Sequence, residues 1–270
     1  MNRVIITGAT GFIGKNLVEN LNSKNFIVSI FDRKKHDLFQ INSLKDLLKG
    51  QDVIVHLAGV NKDGSLKDIL RVNILGTKKL LDAALKYCPN AKFIFASSSQ
   101  VYDEDDVSGL SKLIAEELIK DYVKNKLLKG AIILRFSNIF GKGSKPFTNS
   151  ALSTFAYLIK EGREITINGI GEQTRDFLYI DDAINAIIRA IDFDPKGIET
   201  FDICTGKLTS INQLIQKLMQ ILKIKVPIRY NRGNQSIKKV LKNYQKAKKI
   251  LGWQPVILLE EGLRQFIEKI

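Results

Sequence analysis

Val4-Ile5-Ile6-Thr7-Gly8-Ala9-Thr10-Gly11-Phe12-Ile13-Gly14 is an apolar run that breaks into a glycine-spaced turn and then a helix. Glycine at 8 permits a tight turn, glycine at 11 lets backbone N–H groups approach a pyrophosphate, and glycine at 14 lets the new helix pack close on the sheet. The helix N-terminus would face the phosphates with its positive dipole end. Thr10, Phe12 and Ile13 complete the turn. Phe26-Ile27-Val28-Ser29-Ile30-Phe31 reads as a second strand and ends on Asp32, where an acidic side chain can accept both ribose hydroxyls of an adenosine. Strand, turn, helix, strand and acid in this order point to a bound dinucleotide.

Asp32 favours NAD, because the 2′-phosphate of NADP would meet a carboxylate. Arg33, Lys34 and Lys35 follow at once and could neutralise that phosphate, so NADP stays possible.

Beyond Asp32, strands and helices alternate, which predicts an α/β fold with a Rossmann-type, doubly wound parallel sheet. Strands are expected at 52–58, 92–96 and 131–135, and helices at 68–85 and from about Ser111 to Asn125. After Gly141-Lys142-Gly143-Ser144-Lys145-Pro146 the character shifts to loops and short elements. Residues 1–140 are read as the dinucleotide-binding domain, with 176–203 returning to it. Residues 141–175 and 204–270 are read as a smaller C-terminal substrate-binding lobe. Its tail carries a helix at 211–222 with Ser210 as its cap, and another near 260–269. The connection from Asp32 to Asp52 leaves little room for a further strand.

The chain has 270 residues, enough for one large α/β unit with a small second lobe. No apolar stretch approaches the roughly 20 residues that span a bilayer. The first strand starts at once after Met1, so a cytoplasmic protein without a membrane partner is expected. Cys88 and Cys204 are single and far apart, which suggests neither a disulfide framework nor a metal site. A formal net charge of +14 favours anionic partners. The lysines are spread along many helices, and the densest clusters lack the interleaved aromatics of a single-strand groove, so nucleic acid is not the expected partner.

Chemistry should sit at Ser97-Ser98-Ser99-Gln100-Val101-Tyr102, at the carboxyl end of a predicted strand, where open α/β sheets bind ligands. With Lys112, His56-Leu57-Ala58-Gly59, Val72-Asn73-Ile74-Leu75-Gly76-Thr77, Leu134-Arg135-Phe136-Ser137-Asn138 and Arg175-Asp176-Phe177-Leu178-Tyr179, this set resembles the extended short-chain dehydrogenase/reductases of the NAD-dependent epimerase/dehydratase type. The resemblance runs the whole chain. It implies an enzyme acting on a nucleotide-diphosphate sugar, and a homodimer formed through the helices at 68–85 and 111–125. In that family a serine, a tyrosine and a lysine four residues after it form the catalytic set. Ser98 matches the serine and Lys112 the lysine. The tyrosine position is Ser108.

A serine hydroxyl is a far weaker acid than a phenol and too short to reach the same point. An introduced substitution, a natural protein with altered or lost activity, or another group serving as the base would each account for it. Tyr102 and the run Asp103-Glu104-Asp105-Asp106 are the nearby candidates for such a base, although a solvated turn is the better reading of the acidic run.

The short segment from Val101 to Ser108 and the short connection after Asp32 look like the reductase domain of capsular-polysaccharide enzymes. By the same resemblance, Asp37 and Leu38 match an adenine-contacting pair, and Leu57, Ala58, Gly59 and Asn73 line the cofactor. Asn138, Arg175 and Arg232 match positions that hold substrate, the arginines by paired hydrogen bonds to a diphosphate. His56, ending a buried strand, is read as a satisfied structural histidine.

Overall fold

The computed structural model describes residues 2–60, 64–103, 106–148, 150–231 and 243–270. The first half alternates β1 (Arg3–Thr7), α1 (Phe12–Asn22), β2 (Ile27–Ile30), the short α2 (Lys45–Leu48), β3 (Val53–His56), α3 (Leu66–Ile69), a π-helical turn (Leu70–Gly76), α4 (Thr77–Tyr87), β4 (Lys92–Ser98), a 3₁₀ turn (Ser99–Tyr102) and α5 (Val107–Lys124). The second half runs β5 (Ala131–Phe136), β6 (Asn138–Phe140), α6 (Ala151–Lys160), β7 (Ile165–Asn168), β8 (Thr174–Arg175), β9 (Phe177–Tyr179), α7 (Ile180–Asp192) and β10 (Ile198–Ile203). It ends with β11 (Thr209–Ser210), α8 (Ile211–Leu222), β12 (Ile228–Asn231), α9 (Gln245–Leu251) and α10 (Leu259–Ile267).

Six strands form one parallel sheet in the order β10-β5-β4-β3-β1-β2. Along the inner strands β1, β3, β4 and β5 both faces are buried, as parallel sheets require, so successive residues there are apolar in either direction. Val4 and Ile6 point to the layer that holds Leu17 and Leu21 of α1 and Ile184 and Ile187 of α7. Ile5, between them, points to the layer with Leu80 of α4 and Ile119 of α5. The chain leaves β1 toward β2 and then crosses to β3 on its other side, so the crevice above β1 and β3 is the switch point where such sheets take ligands.

Three two-stranded pairings, β6 with β9, β8 with β11 and β7 with β12, carry the remaining strands. Ser210 caps α8 in a full capping box, taking the Gln213 N–H while the Gln213 side chain receives the Ser210 N–H. Between Asp32 and Asp52 the described chain makes a 3₁₀ turn and α2 and no strand, which leaves β2 at the sheet's edge.

One expectation is corrected. Helix α5 starts at Val107, earlier than Ser111, because the Asp106 carboxylate accepts the Gly109 N–H at 3.0 Å and caps it there. Ser108 is therefore helical, one turn before Lys112.

Candidate active site

Gly8 has φ +73°, and a Cβ on it would stand 2.7 Å from Ala58 N and from the Leu57 carbonyl carbon. The turn after β1 thus lies directly against Leu57-Ala58-Gly59 as they leave β3. A Cβ on Gly14 would meet the Gly8 carbonyl oxygen at 2.2 Å, so only glycine lets α1 start where it does. Gly11 differs: the nearest atom to its missing Cβ is the Gly8 oxygen at 3.2 Å, and its outer side is open. It begins α1 with no side-chain cap and no acidic residue in the first turn. Thr10 and Gly11 are exposed, while Phe12 and Ile13 are half-buried against the core. An uncapped helix N-terminus beneath an open glycine turn fits an anionic pyrophosphate.

The neighbouring polar groups hold that cradle. Ala58 N–H donates to Thr7 Oγ1, and His56 Nδ1 lies 2.6 Å from the same hydroxyl. His56 Nε2 lies 3.0 Å from Thr77 Oγ1, which itself donates to the Asn73 carbonyl. That last bond assigns the imidazole proton to Nε2 and makes Nδ1 the acceptor from Thr7. Burial, with the Lys112 cation as a smaller cause, lowers the His56 pKa to about 3, so the ring is a neutral strut. The Asn73 amide also spends its hydrogen-bonding groups internally. Its Oδ1 accepts the Val60 N–H, and its Nδ2 donates to the Val60 carbonyl and to Ser111 Oγ, tying the strand exit to α5.

At the end of β2, Asp32 is half-buried and its Oδ1 accepts the Lys34 N–H at 2.9 Å. Arg33, Lys34 and Lys35 are exposed. Asp37 is exposed, with its carboxylate accepting the Phe39 N–H, whereas Leu38 is buried beneath the π-helical turn, where its Cδ2 would crowd a Cβ on Gly76.

Lys112 is only 9% exposed. Its Nζ donates to the Ala96 carbonyl at 3.0 Å, lies 4.7 Å from the centre of the Phe95 ring, and would stand 3.0 Å from a Cβ on Gly59. Burial lowers its pKa to about 8, against a smaller upward pull from the Glu116 carboxylate. Ser98, two residues beyond Ala96, ends β4 half-buried, with its Oγ accepting the Gln100 N–H at 3.1 Å. Ser108 is 3% exposed, and its carbonyl accepts from Ser111 Oγ. Lys112 thus bridges the strand that ends in Ser98 and the loop at Gly59, and Ser108 sits on the Lys112 face of α5, where a phenol would otherwise project.

Neither Tyr102 nor Asp106 is a free base. Tyr102 donates its hydroxyl proton to Asp202 and accepts from Arg135, each at 2.8 Å. Burial and the bond to Asp202 push its pKa upward against the Arg135 hydrogen bond. Asp106 gives one oxygen to Gly109 N–H and the other to Gln100 Nε2. Glu104 and Asp105 lie outside the described residues.

Sequence reasoning missed one assembly. Glu116, fully buried, accepts Ser97 Oγ and two Arg135 N–H groups, and Arg135 passes on to Tyr102 and Asp202. The signal was Arg135 itself, a cation in the middle of the strand Ile132-Ile133-Leu134-Arg135-Phe136, which requires a buried partner.

Across the crevice, Asn138 and Arg175 come close, since the Asn138 N–H and Nδ2 both reach the Asp176 carbonyl. Both are exposed. Beside them the hydroxyls of Ser137 and Thr174 are buried and unpartnered among the described residues. Arg232 lies outside the described residues. No group of three or more potential metal ligands occurs among the described residues.

The model of the NAD dependent epimerase/dehydratase family matches residues 4–204, which include the cradle, β4, α5 and both Asn138 and Arg175. The chain belongs to that family. A UDP-N-acetyl-alpha-D-glucosaminuronate decarboxylase of Bacillus cytotoxicus is 28% identical over 317 residues, covering 98% of this chain and 97% of that one. A UDP-2-acetamido-2,6-beta-L-arabino-hexul-4-ose reductase of Pseudomonas aeruginosa is 29% identical over 219 residues, 81% of this chain and 57% of the reductase. Among solved structures, a mutant UDP-glucuronic acid 4-epimerase from Bacillus cereus, in complex with NAD and UDP-4-deoxy-4-fluoro-glucuronic acid, superposes with a TM-score of 0.89 at 26% identity. That match covers 99% of this chain and 98% of the other. As a member of this family the chain uses a nicotinamide dinucleotide, and the open, uncapped turn at Gly11 fits one.

Proposed function

We propose that this protein is a cytoplasmic NAD(P)-dependent epimerase, dehydratase or reductase that acts on a nucleotide-diphosphate sugar during surface-polysaccharide sugar biosynthesis. Lys112 Nζ, bonded to the Ala96 carbonyl on the strand that ends in Ser98 and 3.0 Å from where a Cβ on Gly59 would stand, carries this reading. Residues 1–140 and 176–203 would hold the cofactor, and the lobe of residues 141–175 and 204–270 the sugar nucleotide. The nicotinamide, when bound, exchanges hydride with a sugar carbon. Ser98 Oγ polarises the sugar oxygen, the Lys112 ammonium positions the ribose, and Asn138 and Arg175 take the diphosphate. Similarity to the Pseudomonas aeruginosa reductase, together with the short path from Val101 to Ser108, supports the reductase form. The exposed Leu66, Leu70 and Leu75, beside Leu110 and Ile114 of α5, support a homodimer through these helices.

Ser108 favours a second reading, a protein that binds NAD or a nucleotide sugar with little or no turnover. Loss of a placed general acid–base group costs on the order of 10²- to 10⁴-fold in rate, roughly 3–5 kcal/mol of barrier. Replacing Ser108→Tyr and following hydride transfer with UDP- and dTDP-sugars separates the two. A sharp rise in rate supports the enzyme. A folded, cofactor-binding variant that stays inert, alongside wild type without turnover, supports the binding protein.

A further inference from the structure

We infer that Lys207 is a second phosphate-binding cation, set beside Arg175 by the buried carboxylate of Asp176, and that the pair gives a nucleoside diphosphate its advantage over a monophosphate. The inference rests on the reading of Arg175 as a diphosphate anchor and adds to it a residue that no motif in the sequence marks.

Asp176 is 2% exposed, and its carboxylate closes the turn that follows β10. Oδ1 accepts the Thr205 N–H and the Thr205 hydroxyl, each at 3.0 Å, and Oδ2 accepts the Gly206 N–H at 2.7 Å. Thr205 Oγ1 in turn accepts the Lys207 N–H at 3.2 Å. The backbone at Lys207 is therefore tied to the chain at Arg175 through a carboxylate whose two oxygens are both engaged. The Asp176 carbonyl is used as well, accepting the Asn138 N–H at 2.9 Å and Asn138 Nδ2 at 3.2 Å. One buried residue thus locates Asn138, Arg175 and Lys207 relative to one another.

Strand register sets the direction. β11 lies antiparallel to β8, with Thr209 opposite Arg175 and Ser210 opposite Thr174. Ser210 and the Thr174 hydroxyl are buried, so Arg175 and Thr209 stand on the outward face. Lys207 comes two residues before Thr209, which makes it a diagonal neighbour of Arg175, within reach of a long side chain. Both cations are exposed, and neither forms an ion pair with a described residue. Arg175 Nη1 donates to the Thr174 carbonyl at 2.8 Å, which leaves its other N–H groups open. Two like charges held side by side repel, and an anion with two phosphate groups relieves that repulsion by giving each cation a charge-assisted hydrogen bond.

Calorimetric titration of the full chain with UDP, dTDP and GDP, and with the matching monophosphates, tests this without any turnover. The best-bound diphosphate should exceed its monophosphate by about tenfold at low salt, and added salt should narrow the ratio. Lys207→Met, which keeps the apolar stem, should cut the ratio to about twofold, and Lys207→Arg should preserve it. NADH titration of each variant should stay within about twofold of wild type, showing that the fold is retained. A ratio unmoved by Lys207→Met, or a loss shared equally by monophosphate and diphosphate, would overturn the inference and leave Arg175 as the anchor. Failure of all three diphosphates to bind the folded wild type, or diphosphate affinity unmoved by Arg175→Met, would overturn the reading of Arg175 and this inference with it.

Discussion

Lys112 Nζ and the carbonyl oxygen of Ala96 are 3.0 Å apart, which fixes the only cation of the proposed catalytic set to the strand that ends in Ser98. The bond satisfies one N–H of an ammonium that is otherwise almost out of water, and burial holds its pKa at about 8, below the ordinary 10.5. In the folded state Lys112 gives up its proton earlier than in the unfolded chain. Stability should therefore rise with pH between about 8 and 10.5, where only the unfolded chain still binds the proton. The charge burial missing above that window is worth on the order of 3 kcal/mol. Urea unfolding of wild type and Lys112→Met across pH 7 to 10.5 checks this: the stability of wild type relative to the variant should rise by about 3 kcal/mol as pH rises, and a constant difference would refute it.

His56 gives the opposite end of the pH scale. Its folded pKa of about 3 lies below the ordinary 6.5, so the stability it contributes is complete above 6.5 and is lost as pH falls toward 3. The expected slope is about 1.4 kcal/mol per pH unit within that window. His56→Gln should flatten the acid limb of the unfolding curve relative to wild type, even if it lowers stability at pH 7. Parallel limbs would mean that the ring is not buried neutral.

Alanine at Gly11 and at Gly14 should fail in different ways. At Gly14 the new methyl would overlap the Gly8 carbonyl at 2.2 Å, forcing α1 away from β1. A loss of about 3 kcal/mol or more is expected from such a backbone overlap. At Gly11 the nearest atom is 3.2 Å away, so the variant should fold, with its methyl standing where a pyrophosphate would approach. Thermal melts and NADH titrations of the two variants should separate, with Gly11→Ala folded and unable to bind.

Arg135→Met should cost about 3–5 kcal/mol, because it leaves the Glu116 carboxylate buried without its cation. Adding Glu116→Met should recover part of the loss, since removing both charges also removes the desolvation that the pair has to offset. Chemical denaturation of the single and double variants measures the recovery. A double variant less stable than the single would show that the two charges are not coupled in this way.

The sheet and its cradle were readable because their signals are local. A glycine spacing, an alternation of strand with helix and a Ser210 cap each sit within a few residues of the structure they specify. The start of α5 is hidden in the sequence because Asp106 caps it from within an acidic run that also reads as a solvated turn. The assembly of Ser97, Glu116, Arg135, Tyr102 and Asp202 could not be read as a unit, since strand order and register bring its members together from five separate elements. Leu38 matched a contact motif, and its burial under Gly76 depends on how the shortened connection after β2 folds back. Ser108 was the reverse case: its identity was plain in the sequence, while its place on α5 and its burial needed the fold.

The sheet stops at β2, where Ile27 and Ile30 are 44% and 45% exposed. Among the described residues no further strand lies outside β2, so an adenosine held at its end would have no strand behind it. Short residence follows from such a margin, since release rates track the contacts that must break. Such a margin fits the proposed reductase form, which would take up a fresh carrier for each event, better than an enzyme that keeps one carrier and recharges it in place.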